Sequence, residues 1–175
     1  MEARPQKLHR CSSQSEVVSA LGREHTGVIA VDGFQGSGKT TLALELAKSI
    51  ARRVVSADEF LHRNRGSFFE HLDLAKLSAA VGEGKDCILE GVCCLQMLQA
   101  LKLSSATLVY VKRMAVWGWA DEDELIQFDA NGLPKEVPTD PLALALRGLW
   151  GEVAQYHVSF RPHEVACIVY ERRET

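Results

Sequence analysis

The sequence predicts an α/β fold, a parallel sheet covered by helices on both faces. Three observations carry that prediction. Five short apolar runs have the length and continuity of buried parallel strands, at 28–32, 54–57, 87–90, 107–111 and 166–170. Helical patterns separate the runs, the alternation expected of strands that return through crossover helices. A glycine-rich junction joins the first run directly to the first of the long helices. The 175 residues suit a single core, so one domain over 1–175 is expected.

Taken in order, the elements have recognisable signals. Ser13 followed by Glu16 makes a capping box for a helix to about residue 23, an expected peripheral addition over 1–24. Leu42, Leu46 and Ile50 recur every four residues and give the helix after the first strand one apolar face. The 72–81 stretch reads as a helix with Asp73 as N-cap and Gly82 and Gly84 at its end, and 94–103 reads likewise. Asp140 before Pro141 is an N-cap with proline at the first helical position, and the apolar spacing carries that helix to about residue 159. The 117–139 stretch is the least regular.

Bulk properties narrow the ligands. With 46% apolar residues, 25% charged residues and a net charge of −3, nothing favours nucleic acid as a partner. No run of about 18 apolar residues would span a membrane, and the first 15 residues lack the apolar core of a signal peptide. The five cysteines are odd in number and show no CxxC spacing, so a reduced, cytoplasmic protein is expected. The adjacent Cys93 and Cys94 are read as small buried apolar residues or as redox or metal groups. Association with further copies of the chain stays open.

The junction itself reads Gly33-Phe34-Gln35-Gly36-Ser37-Gly38-Lys39-Thr40, which matches GxxxxGK[ST] at every fixed position, after a strand and before a helix. Glycines allow successive N–H groups to converge on phosphate oxygens, and the helix N-terminus adds partial positive charge. Gly33, Gln35, Gly36, Ser37, Gly38, Lys39, Thr40 and Thr41 are therefore the candidate nucleotide-binding residues. Lys39 is expected to neutralise the β and γ oxygens of ATP, and the Thr40 hydroxyl to ligate Mg2+, with Thr41 a weaker outer contact. The fold class becomes a three-layer P-loop NTPase fold with a five-stranded parallel sheet.

What faces the γ-phosphate separates kinases from switches and motors. The second strand ends in Ser56-Ala57-Asp58-Glu59-Phe60, at the sheet edge where such folds bind ligands. Asp58 suits either a base for an acceptor hydroxyl or an N-cap. The third strand closes on Glu90-Gly91, a metal-side carboxylate or an ordinary strand end. Asp32 either touches the acceptor or ends its strand. His62, Arg63 and Arg65 follow Asp58 closely and either line an acceptor pocket or form a solvated loop.

These residues resemble the uridine kinase, phosphoribulokinase and pantothenate kinase group of P-loop kinases. The phosphate loop, Asp58 with Phe60, Glu90 with Gly91, and Trp150, Glu152, Tyr156, Arg161-Pro162 and Ala166 carry the resemblance over about residues 28–171. It implies ATP, Mg2+ and a small acceptor with a hydroxyl group, Asp58 being the base and Lys39 and Arg113 acting on the phosphates. It also implies a lid over 113–140. That segment departs from the pattern: Asp121, Glu122, Asp123 and Glu124 make it acidic, and no arginine lies between Arg113 and Arg147. Arg147 or Arg161 is expected to substitute, while the acids read as a solvated helix start. Trp117 and Trp119 either stack on a base or pack.

The expected function is transfer of the γ-phosphate of ATP to a nucleoside-like alcohol. A nucleoside monophosphate kinase and a nucleotide-binding module without transfer are the alternatives.

Overall fold

The computed structural model describes residues 8–22, 25–62, 68–82, 86–127, 129, 135 and 141–173, without the side chains of 141–149. Arg63, Arg65, Gly84, Asp140 and the Arg147 side chain lie outside the described residues.

The strands are β1 His9–Cys11, β2 Ile29–Asp32, β3 Arg53–Ser56, β4 Cys87–Glu90, β5 Thr107–Ala115, β6 Gly118–Trp119 and β7 Ile168–Arg173. They form one sheet in the order β1-β7-β5-β2-β4-β3, with β6 paired to β5. Every pairing is parallel except the β5–β6 hairpin. The expected five-stranded sheet is thus corrected to seven strands among the described residues. The two extra members are the shortest strands, one at the sheet edge and one in the hairpin.

Side-chain alternation along each central strand divides the core into two layers. Ile29, Val31, Ile88, Val109 and Val111 face α1 (Gln14–Leu21) and α2 (Lys39–Ile50), packing with Val17, Leu21, Leu42 and Leu46. Ala30, Leu89, Leu108, Tyr110 and Val169 face the other way, toward α3 (Leu74–Val81), α4 (Cys94–Ala100) and α6 (Pro141–Phe160). Leu42 and Leu46 are fully buried, each contributing about 1.5 to 3 kcal/mol.

Local signals set the helix ends. Glu16 N–H donates to the Ser13 hydroxyl at 3.3 Å, while the Glu16 carboxylate accepts from Ser12 N–H at 2.7 Å. Asp73 accepts from Lys76 N–H at 3.0 Å, and Gly82 closes α3. α5 is short (Glu122–Ile126), and α7 is Pro162–Val165. Among the described residues no helix is long and apolar enough to cross a membrane.

β2 lies between β4 and β5 at the centre of the sheet. The chain leaves β2 for β3 on one side, returns to β4, then crosses to β5 on the other. That reversal opens a crevice at the carboxyl ends of the central strands, where the glycine-rich loop begins.

Candidate phosphate-binding site

The loop's close packing explains its first glycine. A Cβ on Gly33 would stand 2.7 Å from the Val111 carbonyl oxygen and 2.8 Å from the Ser37 hydroxyl, so no larger residue fits. Ser37 N–H donates to the Phe34 carbonyl at 3.2 Å, turning the chain, and Gly36 and Gly38 take the left-handed conformations at φ +72° and +96°. Phe34 is buried and stacks on His157 of α6, with ring centroids 3.9 Å apart. His157 in turn meets the Tyr110 hydroxyl at 3.0 Å and the Val153 carbonyl at 2.7 Å. Gln35 is half-buried and among the described residues its Nε2 has no partner, whereas Thr41 is exposed.

Lys39 opens α2 and is buried. Its Nζ donates to the Phe34 carbonyl at 2.7 Å. Burial pushes its ammonium below the ordinary lysine value, against the pull of Asp32 and, more weakly, of Glu90 and Asp58. Its charge is therefore shared with the loop's own carbonyl and three nearby carboxylates.

Asp32 ends β2 fully buried. Gly33 N–H donates to its Oδ1 at 2.7 Å, and the Tyr156 hydroxyl donates to its Oδ2. Tyr156 itself accepts from Leu95 N–H at 3.1 Å. Burial raises the Asp32 carboxyl to about 6 despite those hydrogen bonds and the nearby Lys39. Asp32 thus ties β2, α4 and α6 together beneath the loop.

Glu90 ends β4, in register with Val31 of β2 and Ser56 of β3. The Thr40 hydroxyl donates to Glu90 Oε2 at 3.2 Å, and the Ser56 hydroxyl donates to Oε1 at 2.5 Å. A hydroxyl and a carboxylate side by side at the loop are hard oxygen donors of the kind Mg2+ takes, with phosphates and water completing its shell. Ser56 joins this candidate pair without a sequence signal, because strand-end serines carry no signature.

Asp58 lies two residues beyond Ser56 on the 3-10 turn Ala57–Phe60. It is exposed, and among the described residues its carboxylate caps nothing. Ala57 beneath it is buried against Gly91, where an added Cβ would stand 2.9 Å from the Ala57 methyl. Glu90-Gly91 is thereby fitted to the turn that presents Asp58. His62 follows with a mostly exposed side chain, 3.9 Å from Asp73.

Arg113 pairs with Asp121 at 2.7 Å, and Asp121 is only 2% exposed. The acidic stretch is therefore not uniformly solvated: its first member is buried against the arginine at the start of the presumed lid. Arg161 pairs with Glu164 at the surface, at 2.5 Å. Trp119 packs against Phe34, Tyr110 and His163, whereas Trp117 and Val116 form the exposed tip of the β5–β6 hairpin. Cys93 and Cys94 are buried and their thiols raised by burial, the behaviour of packing residues. A cleft of about 240 Å³ opens beside the loop, lined by Phe34, Gln35, Arg113, Asp121, Glu124 and Trp150 among others.

No family model matches the chain, and no curated protein matches it. Solved structures do. One is a possible uridine kinase from Bacillus stearothermophilus, 18% identical, with a TM-score of 0.48 over 83% of this chain and 89% of that one. Another is a candidate fructose transport system kinase from Silicibacter sp. TM1040, 17% identical, with a TM-score of 0.43 over 93% of this chain and 97% of that one.

Proposed function

We propose that the chain is a small-molecule kinase that transfers the γ-phosphoryl group of ATP to an acceptor hydroxyl, a nucleoside-like alcohol being the favoured acceptor. The observation that carries this reading is the set of Thr40, Glu90 and Ser56 joined by hydrogen bonds of 3.2 and 2.5 Å beside Lys39, with the exposed Asp58 on the next turn.

On this reading, loop N–H groups and Lys39 bind the polyphosphate, and Lys39 exchanges the Phe34 carbonyl for phosphate oxygens. Thr40 and Glu90 would hold Mg2+, which supplies charge neutralisation at the β and γ oxygens. Asp58 accepts the acceptor's hydroxyl proton as the new oxygen–phosphorus bond forms and the bond to the bridging β,γ oxygen breaks, leaving ADP. Asp32, buried and committed to Tyr156 and Gly33, acts as a support for the loop on this reading.

The cleft supports an uncharged acceptor. Among the described residues Asp121 and Glu124 line it with Arg113, which pairs with Asp121, a balance that disfavours the phosphate of a nucleoside monophosphate, which calls for convergent arginines. A coupled assay for ADP release, run with MgATP and a panel of nucleosides, sugars and pantothenate, tests the proposal. Stimulation by an alcohol acceptor is expected. ATP binding without stimulation by any acceptor would favour a binding module instead.

A further inference from the structure

β7 ends in Glu171, Arg172 and Arg173, and the side chain of Arg172 folds back over the phosphate loop. Its Nη1 donates to the Ser37 carbonyl at 3.2 Å. Its Cδ, Nη1 and Nε lie 3.0, 3.1 and 3.2 Å from the place a Cβ on Gly38 would occupy, so the guanidinium stem rests on the bare backbone where α2 begins.

Several arginines have acidic partners, Arg10 with Glu171, Arg113 with Asp121 and Arg161 with Glu164, whereas Arg53 donates to the Val81 carbonyl. Among the described residues no carboxylate pairs with Arg172, and it is half-buried. A guanidinium keeps its charge and offers several N–H donors in a fixed fork, of which the Ser37 carbonyl takes one. A partly desolvated cation without an anion is unfavourable. Here it is added to the partial positive charge of a helix N-terminus and to converging loop amides. Lys39, by contrast, already has acids around it.

We propose that Arg172 binds the polyphosphate of the nucleotide, as a second cation beside Lys39 at the Ser37–Gly38 end of the loop. The proposal rests on the loop being a nucleotide site. It supplies from β7 an arginine beside the loop, where the 114–140 segment has none. Gly38 is then required for two reasons, its left-handed backbone and the space Arg172 occupies.

The test uses the full chain, with a fluorescent ATP analogue displaced by MgATP or by inorganic tripolyphosphate. Arg172→Gln keeps a donor for the Ser37 carbonyl but removes the charge, and Arg172→Lys restores charge without the fork. Arg172→Gln is expected to weaken both ligands by about tenfold or more, with partial recovery in Arg172→Lys and a shallower salt dependence. The thermal midpoint of the ligand-free protein should stay close to wild type. Affinities within about twofold of wild type for both ligands would overturn the proposal. So would loss of ATP affinity with tripolyphosphate unaffected, which marks a base contact, and so would a lowered ligand-free midpoint with no recovery in Arg172→Lys, which marks a structural prop. If wild type bound neither ligand, the nucleotide-site reading would fall along with the proposal. If wild type binds both and Arg172→Gln binds them equally, the arginine alone is refuted.

Discussion

Asp32 and His157 are both buried beside the loop, and burial acts on their stability contributions with opposite sign. Asp32 titrates at about 6 against an ordinary 3.8, so the folded chain holds its proton longer and stability rises as pH falls from about 6 toward 4. His157 is pushed down to about 3 from an ordinary 6.5, chiefly by burial, so its contribution is present above pH 6.5 and is lost as pH falls toward 3. Between pH 7 and 5 each is worth about 1 to 2 kcal/mol, and the two nearly cancel. Urea unfolding at both pH values should show little net change from this pair in wild type, a gain toward pH 5 in His157→Phe, and a loss in Asp32→Asn. Parallel behaviour of all three proteins would contradict the assignment. On the proposed reading, Thr40→Ala should weaken ATP binding measured with Mg2+ more than binding measured without it. Equal losses would remove Thr40 from any metal role. Thr40, Lys39 and Glu90 were legible because a motif or a strand end marks them. Arg172 was not: a charged strand terminus reads as solvent-facing, and only the β5–β7 register brings it to the loop.

Helix α6 is the element that joins the site's parts. Tyr156 reaches Asp32 and Leu95, His157 reaches Phe34 and Tyr110, and Glu152 accepts from Phe68 N–H and, at 2.6 Å, from Phe69 N–H in the segment following Asp58. Tyr156→Phe should destabilise the protein by about 1 to 3 kcal/mol, because the Leu95 amide and Asp32 both lose a buried partner. A smaller effect would mean that those groups find other partners. Glu152→Gln should speed hydrogen exchange at the Phe68 and Phe69 amides relative to the β2 amides, since a charged acceptor is replaced by a neutral one. Element existence was readable from period and caps, and the boundaries less so. β5 continues past Val111 to Ala115 because β7 and then β6 supply partners, which local polarity at Lys112 and Arg113 conceals. β1 went unread because only Cys11 of its three residues is buried.

Across the whole molecule, the strand order brings three separate strand ends to one crevice: Asp32 from β2, Ser56 from β3 and Glu90 from β4, with Arg172 arriving from β7. The sheet's class and its glycine-rich loop could be read from the sequence because a fixed spacing and a continuous apolar pattern encode them. The cleft beside the loop could not, because residues from the loop, the 121–124 segment and α6 that no local pattern links line it together. The central claim is that Asp58 serves the acceptor and Lys39 serves ATP. The most direct measurement is acceptor-stimulated ADP release by Asp58→Asn, alongside its ATP affinity. Asparagine keeps the size and most of the polarity but takes no proton. Turnover should therefore fall by about 10² to 10⁴ while ATP affinity changes little. Turnover at the wild-type rate would contradict the account and leave the transfer reaction without its base.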